Sequence, residues 1–361
     1  MPRNALREIC IFAYILLERI MGNHKKRLFI YLLLGLVAAS GLISYWFFYT
    51  RFSSKLDHAY IYIDRDDNID SIYHQLQRVG QPNQMIGFKI LSRAMDYDEN
   101  IKTGKYEVGN GLTTLDLVNN LRNKVQEPVR LIVPSSRTMG RLAAKLAKGI
   151  EPDSTELMQC FQDSALCAKF GYTTATVSCL FIPNTYEVYW DISPEQLMQR
   201  MKKERDRFWN EERQQKAKQQ GLTILEVMTL ASIVDRETAN DGEKPSIAGL
   251  YLNRLRKGML LQADPTVVYA TQQLGLRRVL QKHLKIDSPY NTYIYKGLPP
   301  GPIAIPEISS IDAVLNPEKN NYIYMCAKED FSGTHNFASS YAQHLRNARK
   351  YIKALNKRGI K

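Results

Sequence analysis

Glu237 is the residue whose setting in the chain points most directly to chemistry. Across residues 224–238, Ile224, Val227, Met228, Ala231 and Val234 recur at helical spacing and share one apolar face. Leu230 and Ile233 form a second apolar stripe on the far side, and a helix apolar on both sides belongs in a core. Glu237 falls four residues after Ile233 and seven after Leu230, so it continues that stripe at the C-terminal end. A carboxyl group there loses hydration, and its ionised form faces the negative end of the helix dipole. Both effects raise its pKa, which suits an acid that holds a proton near neutral pH and then donates it. Asp235 lies two residues away, about 200° round the helix axis. The two acids therefore do not address one substrate atom from one face. An ordinary helix-end glutamate paired with Arg236 or Arg254 fits the same spacing, and periodicity alone leaves that alternative open.

Other site chemistries find little support. The six histidines form no H-E-x-x-H or other metal pattern. The five cysteines (Cys10, Cys160, Cys167, Cys179, Cys326) contain no C-x-x-C pair, which excludes a zinc ribbon or a dithiol redox motif. They are too few for a disulfide-built scaffold, although an exterior compartment permits a Cys160–Cys167 bridge. Hydrophobic residues at 44% and charged residues at 24% of 361 exclude wholesale disorder. The formal net charge is +13, with 43 basic against 34 acidic residues after residue 50. Such a balance favours anionic surroundings: nucleic acid, lipid headgroups or an acidic polymer.

The elements that must position Glu237 begin at a membrane. Residues 28–50 carry no charge and, as a helix, span about 34 Å, enough for a hydrocarbon core of about 30 Å. His24-Lys25-Lys26-Arg27 precede them, while Arg51 and Lys55 follow, diluted by Asp57. The positive-inside bias places the N-terminus in the cytoplasm and residues 51–361 outside. Tyr45 to Tyr49 form an aromatic belt at the outer interface. A cleaved signal peptide is disfavoured, because the apolar region is too long and no A-x-A-like site follows. The apolar run in residues 10–17 is too short to span. Met21, opening M-G-N-H-K-K-R, reads as the natural start of the cytoplasmic tail, residues 1–27.

Beyond the anchor the chain reads as two units. Residues 59–63 form a strand, a helix follows from Ile69, and a second helix lies around residues 85–95. Residues 105–108 form another strand, and Thr113 or Thr114 caps a helix carrying Leu115, Val118 and Leu121. A strand over 130–133 precedes a helix capped by Ser135 or Ser136. Residues 194–219 read as one long charged surface helix, followed by helices at 223–238 and 245–259. Residues 260–322 are rich in turns, residues 322–326 form a short buried strand, and Ser339 or Ser340 opens a final amphipathic helix with a basic tail. The expected class is α+β, with a soft boundary near Pro128. The outward topology, and the lack of a basic helix with interleaved aromatics, argue against nucleic-acid binding.

Six blocks in order carry a family resemblance. They are Phe181-Ile182-Pro183-Asn184-Thr185-Tyr186-Glu187; Leu230-Ala231-Ser232-Ile233-Val234-Asp235-Arg236-Glu237-Thr238; Asn253-Arg254-Leu255 with Gly258-Met259; Leu261-Gln262-Ala263-Asp264-Pro265-Thr266-Val267-Val268-Tyr269; Ser288-Pro289-Tyr290-Asn291-Thr292-Tyr293; and Gly297-Leu298-Pro299-Pro300-Gly301-Pro302-Ile303. Together they resemble the MltG (YceG-like) family of endolytic murein transglycosylases over roughly residues 28–355. The sequence departs from the family pattern at Asp235, which replaces the first glutamate of E-x-E, at Ile305 before Pro306, and at His344-Leu345. The catalytic acid of the family maps to Glu237.

The resemblance implies a LysM-like β-α-α-β subdomain over residues 56–125 and a mixed α+β catalytic domain over 126–361. The subdomain's implied role is glycan binding, with a spacer above the membrane as the alternative. The implied reaction cleaves the β-1,4 bond between N-acetylmuramic acid and N-acetylglucosamine within a glycan strand. Glu237 acts alone as acid and then base, leaving a 1,6-anhydro end with no metal or cofactor. Gln262, Asn291 and Tyr293 carry polar groups suited to sugar hydroxyls and acetamides. Asp264 orients a neighbour or faces the oxocarbenium-like transition state, or else caps the helix that follows. Tyr186 and Glu187 line the cleft or serve core and turn roles. Tyr290 and Tyr293 stack on sugar rings or, as tyrosines at that spacing commonly do, belong to the core, and His335 reads as structural. The implied setting is the bacterial inner membrane, with the catalytic domain outside and peptidoglycan synthases as partners whose nascent strands are terminated. A hydrolase using Glu237 and Asp264 as its two carboxylates, and a non-catalytic glycan-binding scaffold, are the competing readings.

Overall fold

The computed structural model describes residue 15 and residues 23–52, 58–109, 111–273, 275, 276 and 279–359. The expected tail up to residue 22, apart from Ile15, lies outside the described residues, and with it Met21 and Cys10; so do Lys55 and Asp57. The chain divides into two compact units, Met1–Glu127 and Pro128–Lys361.

In the first unit, helix α1 (Asn23–Phe48) is long and apolar enough to cross a membrane. Its flank is bare, with Leu28, Leu34 and Leu42 all more than half exposed. A small module follows in the order β1 (Tyr60–Ile63), α2 (Ile69–Gln77), α3 (Pro82–Ala94), β2 (Gly104–Glu107) and α4 (Thr114–Arg122). The β-α-α-β order is the one expected. β1 and β2 pair antiparallel, Tyr60 opposite Glu107 and Ile63 opposite Gly104. Alternation along β1 sends Ile61 and Ile63 into a core with Ile72, Leu76, Phe88, Tyr106 and Leu117, and leaves Tyr60 and Tyr62 outside. Asn68 and Thr113 each close a capping box, on α2 and α4.

The end of α1 is fastened to this module. The buried amide of Gln84 in α3 donates to the Trp46 carbonyl at 2.9 Å and bonds the hydroxyls of Thr50 and Thr114. Gly87 faces the Phe47 carbonyl so closely that a Cβ would collide with it. Phe52 is fully buried; its N–H donates to the Leu112 carbonyl at 2.7 Å, and its carbonyl accepts from Gln81 N–H at 3.0 Å.

The second unit holds two cores. Around the first, the ribbon of β3 (Val129–Val133) and β4 (Asn184–Val188) packs with α5 (Met139–Leu146), α6 (Ser154–Gln162), α7 (Ser164–Lys169) and α8 (Pro194–Phe208). Thr138, not Ser135 or Ser136, caps α5; Ser136 instead exchanges backbone bonds with Ile305. The long helix expected over 194–219 is two. The side chain of Asn210 accepts from Arg213 N–H and starts α9 (Glu211–Gln220), while the fully buried Trp209 turns the chain between them. Cys160 and Cys167 are free thiols: Cys167 is buried and bonded to the Phe161 carbonyl, and Cys160 lies against Met198.

The second core is built round α10 (Ile224–Glu237), which packs with α11 (Lys244–Arg256), α12 (Asp264–Ala270) and α13 (Ile308–Leu315). Every residue from Val227 to Val234 is buried, as a helix apolar on both sides requires. β5 (Tyr324–Ala327) pairs antiparallel with β6 (His335–Ala338), and α14 (Tyr341–Lys357), capped by Ser340, lies against them. β5 is half-buried rather than buried.

Candidate active site

Thr223 and Glu226 close a capping box at the start of α10, and its far end stops at Glu237 because Thr238 turns extended. Midway, Ser232 Oγ accepts the Ile303 N–H at 3.0 Å, tying the turn-rich segment to the helix. Asp235 faces away from Glu237. Its Oδ1 accepts from the Glu307 N–H at 3.2 Å and the Ser310 hydroxyl at 2.8 Å, so it secures the start of α13. Arg236 reaches Asp235 only at 4.0 Å. The partner of Glu237 is neither Arg236 nor Arg254 but Tyr251 of α11, whose hydroxyl donates to Oε1 at 2.6 Å.

Glu237 lines a cavity of about 420 Å³ with Tyr251, Arg254, Gln262, Asp264, Tyr293 and His335. It also lines a second cavity, about 590 Å³, and Asp264 is on both walls too. Glu237 and Asp264 are thus common to both walls, and the two hollows adjoin there. Loss of hydration pushes the Glu237 carboxyl up to about 7, against the pull of the Tyr251 hydroxyl and His335; the charge of Asp264 adds to the rise. Burial, and then the Glu237 charge, hold the Tyr251 hydroxyl well above its ordinary range, so it remains a donor.

Arg254 organises the opposite wall. This buried guanidinium donates to the carbonyls of Ile323 (2.6 Å), Leu260 (3.1 Å) and Leu261 (2.6 Å), and to Gln262 Oε1 (3.3 Å). Gln262 stands at φ +53°, a left-handed conformation that costs a non-glycine residue energy. That turn aims the chain into α12, whose first residue is Asp264. Tyr293 Oη donates to Asp264 Oδ1 at 2.6 Å, and burial raises the Tyr293 pKa. Asp264 makes no cap; its side chain belongs to the cleft.

Of the residues singled out in the sequence, Glu237, Gln262, Asp264 and Tyr293 come together here. Asn291 does not reach the cavity: it is fully buried, its amide donates to the Leu284 and Ile286 carbonyls, and its Oδ1 accepts from Tyr293 N–H. It shapes the loop that presents Tyr293. Tyr186 is buried in the first core with its hydroxyl on the Ile182 carbonyl, and Glu187 is exposed on β4 opposite Arg130. Neither lines either cavity. Tyr290 packs on Tyr269 at 4.7 Å instead of facing the cleft.

Periodicity passed over five residues of this wall. Tyr251 sits among apolar residues of α11 and reads there as core. His335, expected to be structural, lines the cavity, with its N–H donating to Glu243 Oε1 at 2.6 Å and its Nδ1 2.9 Å from Oε2. Tyr324, Tyr341 and His344 form an aromatic edge, Tyr324 stacking on His344 at 5.3 Å. Among the described residues, no group of three or more His, Cys, Asp or Glu side chains is arranged to hold a metal ion.

The profile of the YceG-like family matches residues 61–350. An endolytic murein transglycosylase of Bacillus subtilis (strain 168) is 40% identical over 141 residues, covering 39% of this chain and 38% of that one. An endolytic murein transglycosylase of Streptococcus pneumoniae (serotype 2, strain D39) is 25% identical over 354 residues, 88% of this chain and 64% of the relative. The chain thus matches less than two thirds of the length of either relative. A crystal structure of a yceG-like protein from Listeria monocytogenes is similar with a TM-score of 0.53 and 26% identity, over 80% of this chain and 98% of that one.

Proposed function

The chain belongs to the YceG-like family, and on that footing we propose that it is an endolytic murein transglycosylase. It cuts the β-1,4 bond between N-acetylmuramic acid and N-acetylglucosamine inside a glycan strand. One observation carries this reading. The acid raised to about 7 stands where two cavities adjoin, so a polymer entering one and leaving by the other passes it in mid-strand.

The chemistry follows from that placement. Glu237, protonated, gives its proton to the glycosidic oxygen as the bond to the muramyl anomeric carbon breaks. The carboxylate left behind takes the proton of the muramyl 6-hydroxyl, whose oxygen closes on the same carbon. The ring ends as a 1,6-anhydro sugar, the leaving sugar keeps its hydroxyl, and Glu237 recovers its proton. A pKa near 7 suits an acid that must give and retrieve one proton. Tyr251 holds Oε1, leaving the other oxygen for the substrate. Asp264, kept in place by Tyr293, faces the positive charge that develops on the sugar.

Strands digested in ¹⁸O-labelled water are the direct test. Unlabelled muramyl ends, each lighter by one water than a hydrolysis product, are expected. Label at those ends would overturn the reading in favour of a hydrolase, for which Asp264, sharing both cavities with Glu237, supplies a second carboxylate.

Tyr251→Phe gives a further expected result. The lost bond favours the ionised acid, so its removal raises the Glu237 pKa further. The alkaline limb of the rate profile moves to higher pH by about one unit, and kcat falls about tenfold. A pH–rate profile that superposes on wild type would remove Tyr251 from the site.

The remaining assignments rest on the same proposal. Helix α1 anchors the chain, with the basic residues at 24–27 on the cytoplasmic side and the cleft outside. The small module is LysM-like and holds glycan near the membrane; its antiparallel β1–β2 pair and two intervening helices support this. The enzyme works on new strands beside the synthases that extend them and ends their growth.

A further inference from the structure

The larger cavity carries charge that the mechanism leaves unused. Arg137, exposed between β3 and α5, and Arg236, beside the acid in the chain, both stand on its wall. Val268, Tyr269, Leu276 and Val279 make much of the rest apolar. Arg236 is partly desolvated there, and the charges of Arg137 and Arg141 bear on it; all three effects lower its pKa, with Asp235 opposing. Asp235 offsets only part of this. It lies 4.0 Å from the guanidinium, its Oδ1 is taken up by Glu307 N–H and Ser310, and Lys244 approaches to 3.8 Å. The acids facing the cavity are Glu237, whose pKa of about 7 leaves it part-protonated at neutral pH, and Asp264, which is held by Tyr293. A desolvated arginine crowded by like charge is an arrangement that an incoming anion relieves.

The geometry points to a carboxylate-binding subsite formed by Arg137 and Arg236, which recognises the acidic side arm of the muramyl residue next to the bond being cut. This rests on the transglycosylase reading. A planar guanidinium can grip a carboxylate through two parallel bonds, and the apolar wall suits the aliphatic part of a peptide arm. The carboxylate has two sources: the stem peptide, or the lactyl group once the peptide is removed. Because Arg236 adjoins Glu237 in the helix, holding the arm there fixes the scissile sugar against the acid. The subsite is thus a specificity device as well as a binding one.

The test uses the full chain in detergent and three strand preparations. One has stem peptides with free carboxyls, one has the same peptides fully amidated, and one is stripped to the free lactyl acid. On free-carboxyl strands, Arg236→Gln is expected to lower kcat/KM about tenfold to a hundredfold, and Arg137→Gln about tenfold. On amidated strands each variant should stay within about twofold of wild type, and Arg236→Lys should recover part of the loss. A loss confined to peptide-bearing strands assigns the peptide carboxylate. A loss confined to stripped strands assigns the lactyl group, an equal loss on both shows that either carboxylate is taken, and each of these supports the subsite. No loss, or the same loss on amidated strands for the exposed Arg137→Gln, overturns it. Wild type that forms no anhydro ends on any strand defeats the transglycosylase reading instead, so the two failures are distinct.

Discussion

Glu237→Gln is expected to leave a folded protein that retains glycan strands and releases almost none, with product formation down by about 10²- to 10⁴-fold. Glutamine keeps the shape and still accepts the Tyr251 hydroxyl, but it has no proton to give and no carboxylate with which to take one back. The same substitution should alter stability with pH in a definite direction. The folded-state pKa of about 7 lies above the ordinary 4.5. The protonated acid therefore favours folding fully below about pH 4.5, and that contribution is lost as pH rises through 7. At pH 8 the wild type bears the cost of a desolvated carboxylate and the glutamine variant does not. The variant should then melt higher by about 2–8 °C, a difference that vanishes below pH 4.5. Anhydro products at the wild-type rate, or equal melting at pH 8, would mean that Glu237 is not the strained acid of the cleft.

Arg254→Ala should be the most damaging change away from the acid itself. Its guanidinium serves three backbone carbonyls, that of Leu261 buried and two half-buried, and Gln262 Oε1, without a carboxylate partner among these bonds. Alanine leaves the carbonyls of Leu260, Leu261 and Ile323 without this donor, at about 1–3 kcal/mol for each that stays unsatisfied. A loss of about 3–5 kcal/mol in urea unfolding is expected. Activity should fall further than stability explains, because the strained turn at Gln262 sets where Asp264 enters the cleft. Arg254→Lys, which restores charge but not the fork, should recover little of either. A variant with wild-type unfolding and wild-type turnover would show that the loop holds itself.

These expectations differ in how far local sequence could have supplied them. The placement of Glu237 was readable because burial on two sides of one helix leaves its mark within fourteen residues, and the structure buries Val227 to Val234 without a gap. The opposed direction of Asp235 followed from helix geometry. Its partners, Glu307 and Ser310, lie more than seventy residues away, and no spacing rule reaches them. Tyr251 and His335 were hidden for the same reason, since each becomes functional only through a contact made by folding. Asn291 misled in the other direction: an amide is apt for a sugar, but three nearby backbone groups claim it first. The break at Trp209–Asn210 was available as an asparagine followed by two glutamates, a helix start that the run of charge disguised.

The seam between α1 and the small module bears on how the protein stands at a surface. A tethered domain would swing freely about its anchor. Here Gln84 grips the last turn of the helix, and Gly87 lets the backbones touch. On the proposed anchoring, helix and module turn together, so the helix sets the module's azimuth relative to the bilayer plane. With each residue advancing a helix by about 100°, the proposed span would set both how high the module sits and which side it turns outward.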